Sequence, residues 1–293
     1  MLDAKTILFV ALGLVAAVFI VAWLRSARGG TNADAARPGP LGLAIGFVTN
    51  FFDTLGIGSF APTTSIFKLK GLLPDEQIPG TLNVGHAIPT IVQAFIFIAI
   101  VKVEMATLTA LIAASVAGAW LGAGFVASWP RRRVQLGMGL ALLAAASFFA
   151  MTNLKVFPAG GDALGLGSPL LWVGIAGNFM LGALMTLGIG LYAPCMILIA
   201  LLGMNPQAAF PIMMGSCAFL MPVGGLRFIA KGSYNLKAAL GLTIGGFPAV
   251  LLAAFVIKSL PLVYLRWLIV AVVLYTAIVM LRSAAAAKSS TPA

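Results

Sequence analysis

The sequence has very few charged residues, one histidine and only two cysteines. Charged residues make up 9% of its 293 positions, whereas soluble domains carry about 25%, so this composition does not suit a water-exposed surface. A single histidine excludes the paired axial ligands of a typical membrane haem centre and the His-Glu-x-x-His zinc motif. Cys195 and Cys217 both lie in apolar segments, without disulfide or zinc spacing. We therefore expect no metal and no cofactor.

Long hydrophobic runs take the place of polar surface. Apolar stretches of about 18 residues or more recur along the chain, and each can cross the hydrocarbon core of a bilayer. The first, residues 6–23, follows Lys5 and is longer than the roughly 7–15-residue apolar core of a signal peptide. Because Leu24-Arg25-Ser26 offers no cleavage site of small residues, we predict an uncleaved N-terminal transmembrane helix.

The net charge of +11 raises the question of a nucleic-acid partner. The basic residues form short clusters between apolar runs, as in Arg131-Arg132-Arg133, and no basic face interleaved with aromatic residues is present in the sequence. Such clusters are typical of loops that orient a membrane protein. The predicted partners are therefore the lipid bilayer and a small solute, with no nucleic acid, and the sequence is compatible with a homo-oligomer.

Two blocks of the chain are related in sequence. With a shift of 132 positions, the segment Thr54–Gly58 coincides with Thr186–Gly190, and Ala61-Pro62 coincides with Ala193-Pro194. Identical partners also exist for Gly42, Ala44, Phe47, Leu69, Gly71, Pro74 and Pro79. With a shift of 131, Pro130 matches Pro261. Shared apolar composition would not align glycines and prolines in this way, so we infer an internal duplication.

The duplication and two polar breaks divide the chain into five parts. A linker rich in Gly and Pro ends the N-terminal segment, and a second break contains Pro158 and several glycines. The predicted parts are an N-terminal helix with its linker (1–40, the linker being 25–40), repeat A (41–151), a connecting loop (152–168), repeat B (169–282) and a cytoplasmic tail (283–293).

Each block has the same order of segments. An apolar arm (41–57 or 173–189) leads through a glycine-rich break into a short arm (62–71 or 194–203). Three longer apolar runs follow, and we predict that each spans the membrane. These runs cover about 80–101, 105–127 and 134–151 in the first block and about 207–226, 236–257 and 263–281 in the second.

The distribution of Lys and Arg predicts the orientation. If the two arms form a hairpin that returns to its starting side, each block crosses an odd number of times and the second block is inverted. Most basic residues then share one side: Arg25, Arg28, Arg37, Lys68, Lys70, Arg131, Arg132, Arg133, Arg227, Lys231, Lys237, Arg282 and Lys288. The other side receives Lys5, Lys102, Lys155, Lys258 and Arg266. Since cytoplasmic loops are rich in Lys and Arg, we predict an external N-terminus and a cytoplasmic C-terminus.

The predicted fold class is therefore all-α. It is a polytopic membrane protein built as an inverted repeat of a re-entrant helical hairpin and three transmembrane helices, preceded by one extra N-terminal transmembrane helix. The alternative, in which each break lies within one crossing helix, would place Arg131–Arg133 opposite Arg25–Arg37 and violate the same charge rule.

The two breaks are the main candidate for a functional site. Irregular backbone at membrane depth is tolerated where it lines a cavity, and paired interruptions in two inverted halves point to a transport site. The glycines allow tight turns, while Pro62 and Pro194 suit the first turn of a helix. Half-helices should then start near Ala61 and Ala193, with free N–H groups and positive dipole ends that favour an anion. The alternative is that the breaks are hinges for close helix packing.

The predicted substrate-binding residues come from both breaks. They are Gly56, Gly58, Ser59, Ala61, Pro62, Thr63, Thr64, Gly188, Gly190, Ala193, Pro194 and Cys195.

A stripe of polar residues is predicted to form a pathway beside the first break. Its members follow helical spacing on one face, and two further polar residues stand three apart on the first arm. The stripe is Asn83, His86, Thr90 and Gln93, and the arm residues are Asn50 and Asp53. Ionisable groups inside a membrane are expensive and usually functional, so Asp53 could carry a coupling proton. For His86, a satisfied structural hydrogen bond and a functional role both stay open. The second block has Met185 and Ala218 at the positions of Asp53 and His86, so any coupling belongs to the first half.

The duplicated Gly-x-Gly-x-x-x-Pro hairpins and Gly-rich spans such as Gly118-Ala-Trp-Leu-Gly122-Ala-Gly124 resemble the sulfite exporter TauE/SafE family over residues 41–282. The resemblance implies a bacterial-type inner-membrane transporter that exports sulfite or a small organosulfonate. The N-terminal helix and its linker are not part of that pattern. We expect alternating access, with outward anion movement coupled to inward proton movement.

Other classes of function compete with transport. A non-transporting scaffold or accessory subunit predicts no water-lined cavity, and an ion channel differs from a transporter by lacking saturable, gradient-driven flux. An intramembrane enzyme has little support, because one buried Asp cannot form an aspartyl dyad and a Ser59–His86 pair lacks an orienting motif. The predicted protein is therefore not an enzyme.

Overall fold

The computed structural model describes residues 3–29, 37–156, 160–188, 190–256 and 262–289, and they are almost entirely helical. No β-strand occurs in those ranges; a single isolated bridge joins Ala163 and Met204. The helices are α1 (Ala4–Gly29), α2 (Pro40–Thr54), α3 (Phe60–Lys70), α4 (Ile78–Gly85), α5 (Ala87–Ile100), α6 (Met105–Val126), α7 (Arg131–Asn153), α8 (Ser168–Met185), α9 (Tyr192–Leu201), α10 (Ala209–Ala230), α11 (Leu236–Val256) and α12 (Leu262–Ser289).

Seven helical segments in the described ranges are long and apolar enough to cross a membrane: α1, the α4–α5 segment, α6, α7, α8, α10 and α11. A shorter apolar segment, Val273–Ala286, belongs to α12. The helix content and the length and composition of these segments confirm the prediction of an all-α, multi-pass membrane protein.

Several predicted boundaries differ from the structure. The run predicted at 80–101 is two helices, α4 and α5, separated at His86. The last apolar run, predicted to end at about 281, continues as helix α12 to Ser289. The centre of the 25–40 linker, Pro158 in the connecting loop, Lys258, Pro261 and residues 290–293 lie outside the described residues.

Proline and glycine explain where the short helices begin and end. Pro40 occupies the first position of α2, where a missing N–H costs nothing. Gly71 ends α3 in the left-handed conformation, with φ of 59°. Pro89 has no N–H to offer the carbonyl four residues earlier, and that carbonyl, Gly85 O, instead accepts a 2.7 Å bond from the Thr243 hydroxyl. The helical hydrogen bond missing at Pro89 explains why α4 ends at Gly85 and a separate helix, α5, begins at Ala87.

Two helix pairs are in backbone contact through glycine. Helix α2 lies along α11 in the same direction, with Gly42 beside Gly241 and Asn50 beside Gly246. A Cβ atom added at Gly245 would overlap the carbonyl oxygen of Leu43. Small residues allow such close approach of membrane helices.

Helix α8 lies along α6 in the equivalent way. Asn178 Nδ2 donates to Leu111 O at 2.6 Å, and Gly122 lies beside Ala183 and Thr186, so these helices also run in the same direction. A Cβ atom at Gly118 would overlap the carbonyl oxygen of Phe179.

Other neighbouring helices run in opposite directions. Phe97 of α5 stacks on Phe210 at the start of α10, with ring centroids 5.4 Å apart, while Val84 of α4 lies beside Gly225 near the end of α10. Arg132, at the start of α7, donates from Nε to the carbonyl oxygen of Ala284, near the end of α12, at 3.1 Å, so these two helices are antiparallel as well. Among the seven segments of membrane-spanning length, α10 and the α4–α5 segment are the most buried.

One end of the helix bundle is held together by polar contacts of basic residues, and we call it the basic end. The Asp75 carboxylate accepts from Lys68 Nζ at 2.5 Å and from Gln135 Nε2 at 2.7 Å, and it lies 3.7 Å from Arg131. Lys231 donates to the carbonyl of Gly124 and to the Ser128 hydroxyl.

The opposite end is joined mainly through the backbone. Glu104 N donates to Leu164 O at 2.8 Å, and Gly161 N donates to Met204 O at 3.1 Å. Lys5 Nζ caps the carbonyl of Ala99 at 2.8 Å. The segment after residue 160 therefore lies across the ends of α5 and α9.

These contacts fix how the two helical hairpins lie. The first hairpin, α2 and α3, begins beside the start of α11 and ends beside Asp75, both at the basic end. The second hairpin, α8 and α9, begins and ends at the opposite end, beside the segment that bonds Glu104 and Met204. The two hairpins therefore enter the bundle from opposite ends.

Candidate functional site

The two breaks meet in the interior of the bundle. Gly190 lies against Phe60, and Gly188 lies against the Thr64 side chain. A cavity of about 20 Å³ is lined by residues of both breaks and by Phe148 of α7. A second cavity of about 10 Å³ lies beside it and includes Asp53 and Thr90. Each has room for about one water molecule, so the hairpins are closed against each other in this structure.

The short helices begin at the breaks as the sequence predicted, one residue earlier than expected. Helix α3 starts at Phe60 and α9 at Tyr192, and both have proline at the third position. Their first N–H groups have no acceptor within the helix. Since both helix N-termini adjoin the shared cavities, their positive dipole ends converge on one region. Ile189, in the second break, lies outside the described residues.

The glycines of the breaks have backbone conformations that other residues rarely adopt. Gly56, Gly58 and Gly188 have φ of 85°, 88° and 94°. A Cβ atom added at Gly58 would meet nothing within 4 Å, so conformation rather than space requires glycine there.

This requirement can be measured by comparing two glycines of the same hairpin. Gly39 also has open space around it, but its φ is −78°. We expect Gly58→Ser to reduce the free energy of unfolding by about 1–3 kcal/mol and Gly39→Ser to leave it unchanged, because serine suits the N-cap of α2. Denaturant unfolding of the purified variants measures both. Equal stabilities would contradict a conformational role for Gly58.

Asp53 is the centre of a buried polar cluster that both hairpins share. Its carboxylate accepts a 2.9 Å hydrogen bond from Gln93 Nε2, which also contacts Thr54 Oγ1 at 2.9 Å. The Tyr192 hydroxyl lies 2.6 Å from Gln93 Oε1 and 3.3 Å from Asp53 Oδ2. Ser59 directs its backbone N–H and hydroxyl toward the same carboxylate.

Within the described ranges, no buried basic side chain balances Asp53. The buried residues that the structure describes include no Lys or Arg. The ion pairs found in the described ranges involve Asp75 and Glu76 at the basic end. In those ranges there is also no group of three or more His, Cys, Asp or Glu side chains that could hold a metal ion. The cluster is therefore built from neutral donors around one carboxyl group.

His86 forms a second cluster, which ties the two arms of the first hairpin together. Its Nδ1 lies 3.0 Å from Asn50 Oδ1, and its Nε2 lies 3.1 Å from Thr63 Oγ1. Asn50 Nδ2 donates to Gly46 O at 2.7 Å, so its oxygen is the atom that accepts from the imidazole. Both ring nitrogens of His86 therefore have hydrogen-bonding partners on the first hairpin, and its structural role and its role in coupling both stay predictions.

The Thr63 hydroxyl connects His86 to the break. It lies 2.7 Å from the Ser59 carbonyl oxygen as well as 3.1 Å from His86 Nε2, and it has one proton to donate. A neutral imidazole with its proton on Nδ1 accepts that proton, whereas an imidazolium ion donates to Thr63 and leaves the hydroxyl for Ser59. The protonation state of His86 can therefore change the hydrogen bonding of the first break.

Some predicted residues lie apart from these clusters. Asn83 donates to Pro79 O in its own helix and lies beside Gly224 of α10. Cys195 is buried in α9 and lines neither cavity. Because the helix divides at His86, residues of the predicted stripe before and after the division contact different partners: Asn83 bonds its own helix, whereas Gln93 bonds Asp53.

The sequence interpretation missed Tyr192. This residue brings the second hairpin into hydrogen-bonding contact with Asp53 and Gln93 of the first half. The signal was present in the duplication, because Tyr192 corresponds to Phe60 with the shift of 132. At the start of the second short helix, Tyr192 therefore carries a ring hydroxyl that Phe60 lacks.

The fold and these clusters define a multi-pass α-helical membrane protein in which two broken helical hairpins meet around a buried carboxyl group. Comparisons of the chain with protein-family models, curated proteins and solved structures found no match.

Proposed function

We propose that the chain is a transporter that carries a small anion across the membrane by alternating access, with sulfite or a small organosulfonate as the substrate class. The observation that carries this proposal is the meeting of two helix N-termini, from hairpins that enter from opposite ends, at a closed interior site. Discontinuous helices with this arrangement bind anionic groups in known transporter architectures. The resemblance to the TauE/SafE family supports the choice of substrate.

We infer that the two halves form an inverted repeat. Helix directions support this inference, because the α4–α5 segment is antiparallel to α10 and α7 is antiparallel to α12. Similar bonds, from asparagines that stand one helical turn apart in the alignment of the two halves, support it as well: Asn50 Nδ2 lies 3.4 Å from Leu242 O, and Asn178 Nδ2 lies 2.6 Å from Leu111 O. In each case the first arm of one half bonds the second long helix of the other half.

The proposed orientation follows from charge. The basic end carries Lys68, Arg131 and Lys231 and corresponds to the cytoplasmic side under the positive-inside rule. The N-terminus is then external, and a cell-membrane location follows the resemblance.

The binding mode uses backbone amides rather than basic side chains. Two positive helix ends attract a negative solute, and the Ser59, Thr63 and Thr64 hydroxyls add polar groups near them. The Thr64 hydroxyl is buried, has no hydrogen-bond partner among the residues that the structure describes and lies beside Gly188 of the other hairpin.

Binding of the anion at this site depends on whether Asp53 is protonated. An ionised carboxylate about 5 Å from a second negative charge would oppose binding by about 3 kcal/mol at an effective dielectric constant of about 20. Because no buried basic group offsets this repulsion in the described residues, the anion binds best when Asp53 carries a proton. The geometry thus favours movement of the anion and the proton in the same direction, whereas the sequence suggested exchange.

The test is flux of labelled sulfite or methanesulfonate into liposomes that contain the purified protein. Saturable uptake that rises when an inward proton gradient is imposed is the expected result. Acceleration by an outward proton gradient would instead support exchange. Protein-free liposomes give the background, and no flux above it for any small oxyanion, with the protein folded, would favour the scaffold alternative.

A further inference from the structure

An open apolar groove follows the outer surface of the bundle between α1, α6 and α10. Its volume is about 810 Å³, and its lining includes Leu8 of α1, Val223 of α10 and, on α6, Thr109, Ala117, Trp120 and Leu121. Thr109 is the one polar residue among them, and its hydroxyl is bonded to carbonyls of its own helix. The groove therefore suits a hydrocarbon occupant.

The length of the groove matches an acyl chain. Its lining on α6 extends from Thr109 to Leu121, which is about 18 Å at about 1.5 Å per residue. One leaflet of a bilayer contributes about half of a hydrocarbon core of about 30 Å. An extended lipid chain would thus fill the groove along its length.

A cationic side chain stands at the end of the groove toward the basic end. Arg227 is one helical turn after Val223, and its guanidinium carbon lies 3.5 Å from the centre of the Trp120 ring. Its Nε is buried and has no hydrogen-bond partner in the described part of the chain. The ion pairs found there do not include Arg227. The terminal guanidinium nitrogens of Arg227, which are not among those buried atoms, can therefore donate to a phosphate group.

We propose that this groove binds one acyl chain of an anionic phospholipid whose phosphate is held by Arg227. Trp120 joins the two parts of the site, since its ring lines the groove and also stacks under the guanidinium. Lys231, the residue directly after α10, adds positive charge but is bonded to Gly124 and Ser128. The site is independent of the cavities between the hairpins and of the transport proposal.

The experiment is lipid titration of the purified full-length protein in detergent, monitored by mass spectrometry of the intact complex. Phosphatidylglycerol should bind at least about tenfold more tightly than phosphatidylcholine. Only the head group of phosphatidylglycerol carries a net negative charge that can pair with the Arg227 guanidinium. Arg227→Gln should remove that preference. Lys70→Gln, which has the same change of charge at an exposed position of the basic end, should retain it.

A second variant tests the groove itself. Ala117→Phe should weaken binding of both lipids by filling the groove, whereas Val173→Phe, at an exposed position of α8, should not. This arm remains informative if Arg227→Gln does not fold. Three results would overturn the proposal: equal binding of the two lipids, unchanged binding in Ala117→Phe, or a dimer of this chain that Ala117→Phe dissociates.

Discussion

Asp53→Asn is expected to abolish uphill accumulation of a sulfonate driven by a proton gradient, while exchange of labelled sulfonate at equal concentrations continues. Asparagine has the shape of the protonated carboxyl group and can keep contacts with Gln93 and Tyr192. It cannot release a proton, so the anion would bind and cross without one. The repulsion of about 3 kcal/mol that an ionised Asp53 exerts would also be absent.

The affinity for the anion should therefore lose its dependence on pH. In the unmodified protein, affinity falls as pH rises through the range in which Asp53 loses its proton, and a difference of about 3 kcal/mol corresponds to a change of more than about 100-fold. Methanesulfonate is the suitable probe, because its own charge does not change near neutral pH. Thermal shift and liposome flux across a pH series measure the effect.

The matched control is Asp162→Asn, a carboxylate-to-amide change at an exposed position outside the site. It should leave both accumulation and its pH dependence unchanged. Persisting uphill transport in Asp53→Asn would show that another group carries the proton. If folded Asp53→Asn protein lost both exchange and accumulation, the role of Asp53 would be to maintain the structure of the break.

Gly118→Leu and Gly245→Leu are each expected to prevent normal assembly of the helix bundle. At both positions an added side chain meets the carbonyl oxygen of the facing helix, Phe179 O or Leu43 O. Backbone atoms cannot change rotamer, so the helices must separate along their length. Overpacking in a core typically costs about 1–3 kcal/mol, and separation of a glycine-lined pair should exceed that range.

The two substitutions should have similar effects, because α6–α8 and α11–α2 are equivalent contacts in the proposed repeat. Size-exclusion chromatography and thermal unfolding in detergent measure the outcome. Gly13→Leu is the control, since a Cβ atom there meets nothing within 4 Å. A normal elution profile and unfolding temperature for Gly118→Leu would show that the contact between α6 and α8 does not hold the fold together.

Much of the fold was predictable because the membrane restricts what a sequence can do. Long apolar runs must be helices, since unpaired backbone groups are too costly in hydrocarbon. The duplicated Gly-x-Gly pattern predicted where α3 and α9 begin to within one residue, because proline and glycine act on local backbone geometry.

Pairing between distant segments was less accessible. The glycines of α6 and α11 are visible in the sequence, but nothing local shows that Gly118 faces Phe179 or that Gly245 faces Leu43. Helical spacing placed Asn83 and Gln93 on one face, yet the division at His86 gives them separate partners. A periodic pattern assumes an unbroken helix, and Pro89 interrupts this one.

The sequence by itself determined that the chain is a helical membrane protein and where its two glycine-containing breaks lie, because composition, hydrophobic length and backbone preference act locally along the chain. Only the tertiary structure decided that both breaks close on the same carboxyl group and that Tyr192 joins them to Gln93. Those contacts link residues about 100 or more positions apart, and packing of whole helices, rather than any local preference, brings them together.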